Sequence, residues 1–205
     1  MNNLEDSKLN KRSLQALETK KRIYESAMEL FSDPKRSFDD ITIDEITSLA
    51  NVSKGSFYTY YESKEMVLVE HFEQIDEYYK FVLGKLPENA SASQGILTMI
   101  YGMTEYCQNI SGIQIIKIVY SSQISGSKSV RILNNRDRAL YKHMDELISK
   151  GLETKEFTTV LDKDCIVEYL TRSARGLIYD WCLYDGGFNL IDEGQKYFSL
   201  ILDNL

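Results

Sequence analysis

An all-α fold follows from three features of the sequence. Proline occurs only as Pro34 and Pro87, so few points bar a helix. Apolar residues recur at steps of three and four through most of the chain. No two alternating runs are joined by a hairpin turn. At 205 residues, with 43% hydrophobic content, the chain can bury a core of ordinary size. The expected organisation is an N-terminal three-helix domain over residues 1–62 and a C-terminal helical domain over 63–205. A helix over 63–85 links them.

The first helix is expected from about Leu14 to Phe31, capped by Ser13. Ile23, Ala27, Leu30 and Phe31 form its apolar stripe, and Asp33-Pro34 ends it. The second begins at Thr42, where Thr42 and Glu45 have the spacing of a capping box. Ile43, Ile46 and Ala50 then face inward. Asn51-Val52 makes a turn, and Ser53 caps a third, short helix through Thr59. Ser63 caps a fourth, with Leu68, Phe72, Ile75, Tyr79 and Val82 on one side. After a break at residues 86–92, Ile96 to Ile110 marks one helix and Ile113 to Tyr120 a short one. Val130 to Ser149 marks a longer helix, and Ile166 to Trp181 another. A last helix follows Asn189, with Tyr197, Phe198, Ile201 and Leu205 inward.

Several function classes are disfavoured. No apolar run approaches the roughly 18 residues of a membrane span, and residues 1–10 lack a signal-peptide core, so a cytoplasmic location is expected. Cys107, Cys165 and Cys182 are widely spaced and read as small hydrophobes. His71 and His143, the only histidines, lack the spacing of a zinc site. No phosphate-cradling glycine loop or GxSxG occurs. No metal, cofactor or enzymatic activity is expected. The net charge is −7, and residues 1–70 hold 10 Lys/Arg against 13 Asp/Glu. Within them lies a basic stretch: Lys8, Lys11, Arg12, Lys20, Lys21 and Arg22 against Glu18 alone. It suits a solvated helix face or a backbone-binding arm.

Helix, tight turn and short helix over residues 42–60 outline a helix-turn-helix. The third helix is unusual for a core element. Only Val52 and Phe57 demand burial there, while Ser53, Lys54, Gly55, Ser56, Tyr58, Thr59 and Tyr60 offer hydroxyls, an ammonium and bare backbone. Such groups fix register on phosphate oxygens and reach base edges. Glycine costs about 1 kcal/mol in a helix relative to alanine, so Gly55 points to close approach by another molecule.

These residues resemble the TetR (tetracycline-repressor-like) family. The likeness rests on Ile23, Ala27, Leu30 and Phe31, then Thr42, Ile43, Ile46, Ala50 and the run Val52 to Glu65. It covers about residues 14–70. The link Ser32 to Asp40 looks longer than the family's glycine-containing one, and Tyr61 stands where phenylalanine is common. The resemblance implies a homodimer on a pseudo-palindromic double-stranded DNA operator, with the third helix in the major groove. By motif position, Thr42, Ser53, Tyr58, Tyr60 and Lys64 would hold phosphates, and Lys54, Gly55, Ser56 and Thr59 would face bases. Tyr61 reads as a core aromatic.

The resemblance also implies a C-terminal half that dimerises and senses a small-molecule inducer. Ser173, Ala174, Leu177, Trp181, Phe198 and Ile201 would form the dimer interface through the last two helices; the same stripe also suits an internal core. Met99, Met103, Tyr106, Cys107, Ile116, Tyr120 and Tyr141 are candidates to line an inducer pocket, and a Met and aromatic stripe is equally what a core looks like. The implied function is a ligand-responsive transcriptional regulator, a repressor released by its inducer. The alternatives are a helical protein-binding adaptor and, less favoured, an enzyme.

Overall fold

The computed structural model describes residues 2–125 and 132–205, with side chains from residue 12 onward. Every element among them is helical: α1 (Asn2–Phe31), α2 (Ile43–Leu49), α3 (Lys54–Tyr60), α4 (Lys64–Leu83), α5 (Ala92–Glu105), a π-helical turn (Tyr106–Ser111), α6 (Gly112–Ile124), α7 (Ala139–Glu153), α8 (Lys163–Leu183) and α9 (Leu190–Leu202). The chain separates into two compact units, Met1–Glu70 and His71–Leu205. The division falls within α4, past the residue-62 boundary read from the sequence.

In the first unit α1, α2 and α3 pack on one another. Ile23, Ala27, Phe31, Ile46 and Phe57 are all at most 1% exposed. The Thr42–Glu45 capping box forms as its spacing requires, with the Thr42 hydroxyl accepting from the Glu45 N–H and the carboxylate accepting from the Thr42 N–H. The hydrogen bond from the Thr42 backbone, then Arg36, holds the Glu45 carboxyl below its ordinary pKa. α1 differs from expectation, for it already runs from Asn2. No glycine or proline interrupts residues 2–31, so nothing stops the helix at Ser13. Arg12 therefore sits on an exposed helical turn, not on an arm before the helix. The side chains of Lys8 and Lys11 lie outside the described residues.

In the second unit α5 packs against α7 and α9, and α8 against α6, α7 and α9. Three of these helices start on a side-chain cap. Ser91 and Gln94 form a capping box on α5, Asp162 caps α8 and Asn189 caps α9. At Gly194 a Cβ would lie 2.9 Å from Thr104 Cγ2, which lets α9 settle close on α5.

Three stretches depart from the sequence reading. The helix expected over Ile96–Ile110 loses α-geometry at Tyr106. The wider π-turn inserts one residue, buries Tyr106, Cys107 and Ser111, and turns Ile110 outward at 51% exposure. Gly112, at φ +75°, ends that turn, a conformation that favours glycine. α7 begins at Ala139, and Val130 lies outside the described residues. On α9, Phe198 is fully buried as expected, but Tyr197 faces out at 41%.

Candidate nucleic-acid interface

The turn between α2 and α3 closes through Val52 N–H to Thr47 C=O at 3.0 Å. Asn51 takes positive φ (52°) there, a conformation asparagine tolerates better than most side chains. Ser53 then starts α3, its hydroxyl accepting from Ser56 N–H. Phe57 is the one fully buried side chain of the helix. It anchors α3 from below, against Tyr61 at 5.7 Å between ring centres.

The opposite face is uncovered within the unit. Ser53, Lys54, Gly55, Tyr58 and Thr59 are exposed, as is Thr42 at the start of α2, and Ser56 and Tyr60 are partly covered. Tyr58 is 52% exposed. A Cβ on Gly55 would meet only Ser53 Oγ, at 3.8 Å. Packing inside the chain therefore gives no reason for glycine at this position. Lys54 pairs with Asp44 at 2.9 Å, and that hydrogen bond holds its ammonium above the ordinary pKa. The sequence reading missed this pair, because Asp44 lies on the neighbouring helix.

Lys64 corrects the sequence reading. Its ammonium donates to the carbonyls of Phe38, Ile41 and Asp39 at 2.5, 2.8 and 3.2 Å and lies 4.5 Å from the centre of the Phe38 ring. All three protons are used within the chain. Lys64 thus clamps the segment leading into α2 and has no proton left for phosphate. Tyr61 is a core aromatic at 4% exposure, its hydroxyl donating to Glu70.

The sequence pattern of the bacterial regulatory proteins of the tetR family matches residues 23–70. Over those residues the chain is similar to the DNA-binding domain of that family. Solved structures support the fold of the whole chain. The Bacillus subtilis regulator FadR, in complex with stearoyl-CoA, is 14% identical with a TM-score of 0.67, over 90% of this chain and 98% of that one. Thermus thermophilus FadR, a TetR-family repressor in complex with lauroyl-CoA, is 23% identical with a TM-score of 0.60, over 90% and 94%. Salmonella enterica GusR is 13% identical with a TM-score of 0.67, over 90% and 95%.

In the second unit the expected pocket residues are packed. Met99, Met103, Tyr106, Cys107, Ile116 and Tyr141 are each at most 6% exposed, and Tyr120 is partly covered. Burial pushes the Cys107 thiol up to about 12, so it stays protonated as a small hydrophobe. Only Tyr141 among them borders a described cavity, a cleft of about 380 Å³ shared with Arg136, Asp145 and Asp164.

The expected dimer residues divide. Ala174, Trp181 and Phe198 are at most 4% exposed within their own chain, and Trp181 Nε1–H donates to the Phe188 carbonyl. These three are internal core, which corrects their assignment to an interface. Ser173, Leu177 and Ile201 remain partly accessible. Ser173 and Leu177 line a groove of about 800 Å³ with Gly176, Asp180, Tyr184 and Tyr197. Leu183 on α8, Tyr184 just after it and Leu200 on α9 are 62–66% exposed. A search for the apolar stripe misses this face, because the stripe that spacing reveals is the one the chain buries itself.

Among the described residues no cluster of His, Cys, Asp and Glu is arranged to hold a metal. No described helix is long and apolar enough to cross a membrane.

Proposed function

We propose that this chain is a ligand-responsive transcriptional regulator that binds a pseudo-palindromic operator as a homodimer and represses until a small molecule releases it. The observation that carries this reading is α3: seven residues long, one side chain fully buried, and a polar ridge around Gly55 that no other part of its unit covers. Tyr58, Tyr60, Ser53 and Thr42 hold phosphates, while Lys54, Gly55, Ser56 and Thr59 meet the bases. Lys54 leaves Asp44 to do so.

The groove on α8 and α9 supports the dimer. Gly176 lies mid-helix with nothing within 4 Å of where its Cβ would be, which suits close approach by the partner's helix. Two such copies fix the distance between their α3 helices. Binding is strong when that distance matches half-sites one turn apart, about 34–36 Å. A ligand favouring another spacing, carried through α4, lowers DNA affinity. A coupling of about 1–3 kcal/mol changes it roughly 5- to 150-fold. The FadR structures hold acyl-CoA thioesters, which supports a sensing role for the second unit of the same fold.

The test is selection of bound duplexes from a random pool at low salt, followed by a salt titration of the winner. A two-fold symmetric site with steep salt dependence is expected. A monomeric protein that retains no duplex would favour the adaptor reading.

A further inference from the structure

Four arginines are described in the second unit. Three are ion-paired: Arg136 and Arg172 with Glu168, and Arg138 with Asp76. Among the described residues Arg175, half-buried, has no acidic partner within ion-pair distance. Burying a guanidinium without a counter-charge is unfavourable. Glu168, two turns earlier on α8, is held by Arg136 and Arg172, and the charge of Arg175 acts on it less than theirs.

Hydrogen bonds fix the orientation of this side chain. Arg175 Nη1 donates to the Tyr141 hydroxyl at 2.8 Å and to the Leu133 carbonyl at 3.4 Å, which uses both its protons. Tyr141, 6% exposed, donates its own proton to the Leu133 carbonyl. The Tyr120 hydroxyl donates to the Arg175 carbonyl at 2.8 Å, and its ring packs on Tyr179 at 5.8 Å. The Nε–Nη2 edge is left over. This is a fork of parallel N–H donors that matches a carboxylate or phosphate.

We infer that Arg175, oriented by Tyr141, is the anchor for an oxyanion group of the ligand, so that the second unit senses an amphipathic anion with an apolar body. The inference rests on the ligand-sensing reading of that unit. The apolar body is inferred from the rings of Tyr120 and Tyr179, which pack on each other beside the Arg175 backbone.

The test measures binding of n-octanoate, n-octyl phosphate and n-octanol to the full-length protein by calorimetry, separately from DNA release. One or both anions should bind, and n-octanol at least tenfold more weakly. Arg175→Gln should weaken the anion at least tenfold while leaving n-octanol unchanged, and Arg175→Lys should recover part of the loss. Tyr141→Phe, which keeps the ring and frees Nη1, should weaken the anion less than Arg175→Gln does. A thermal melt checks that each variant is folded. In a protein labelled with ¹⁵N at arginine, the anion should shift the Arg175 Nε–H resonance, a signal independent of the variants. Equal binding of n-octanol and the anions overturns the inference. So does full anion binding by folded Arg175→Gln, or no binding of either anion to the unaltered protein. If the anion binds through Arg175 yet DNA affinity is unmoved, the anchor stands and the sensing reading fails.

Discussion

α3 and the interior of the second unit draw on similar residue types, tyrosine foremost, and use them in opposite ways. On α3 a short helix shows its hydroxyls and its glycine outward, with Phe57 as the anchor below. In the second unit Met99, Met103, Tyr106, Cys107 and Tyr141 are turned inward, each at most 6% exposed. Spacing says which residues share a face. Whether another element covers that face depends on partners distant in sequence.

Neighbouring residues on α3 offer the largest contrast. Phe57→Ala should cost about 3–5 kcal/mol, the range for a fully buried aromatic, and melt the first unit. Tyr58→Ala, one residue on, should change stability by under about 1 kcal/mol and weaken binding to every duplex. Thermal denaturation and a DNA titration of both variants check this. Comparable destabilisation by the two would mean that the outer face of α3 is structural.

Lys64 tests whether a charge near α3 must belong to the interface. Lys64→Ala removes three hydrogen bonds to carbonyls, which should cost about 1–3 kcal/mol. The dependence of log affinity on log salt should keep its slope, since no phosphate contact is lost. A slope shallower by about 0.9 would return Lys64 to the phosphate backbone.

Glu156 gives the second unit a counterpart to the capping box of α2. Its carboxylate accepts from the N–H groups of Ala92 and Ser93 at 2.7 and 2.8 Å. Burial opposes its ionisation, but the bonds from Ser93 and Ala92 outweigh it and hold the pKa down at about 2, against 4.5 for the free group. A depressed folded pKa means the stabilisation is complete above about pH 4.5 and lost as pH falls towards 2. The side chain is largely solvent-facing, so Glu156→Gln should cost only about 1 kcal/mol at neutral pH. The variant and the parent should converge in melting temperature only as pH falls to about 2. A gap that persists there would show that the carboxylate's charge is not what matters.

The sequence revealed most where structure is local. The Thr42–Glu45 box, the Ser53 cap and the inward set Ile23, Ala27, Ile46 and Phe57 all involve residues within one or two turns, so pattern and propensity suffice. It was silent where the deciding atom lies far along the chain. Lys64 finds carbonyls more than twenty residues back, Lys54 finds Asp44 on another helix, and Arg175 finds Tyr141 and Leu133. The π-turn escaped for another reason. A single inserted residue leaves the apolar count unchanged and shifts only the register, which a periodicity scan averages away.

The smallest effect is the most discriminating. Gly151 is glycine because Phe157 sits 2.2 Å from where its Cβ would be, whereas Gly55 and Gly176 have no such neighbour in their own chain. Replacing an unhindered helical glycine by alanine should stabilise the protomer by about 0.5–1 kcal/mol. If another molecule needs that space, the same change must weaken its binding. Gly55→Ala should therefore raise the melting temperature and lower affinity for the selected duplex, while dimerisation is unchanged. Gly176→Ala should raise protomer stability and weaken the dimer, with DNA affinity falling only in proportion to dimer lost. A Gly55→Ala protein that is more stable and binds DNA as before would leave the glycine without a function, and with it the close approach on which the recognition face of α3 depends.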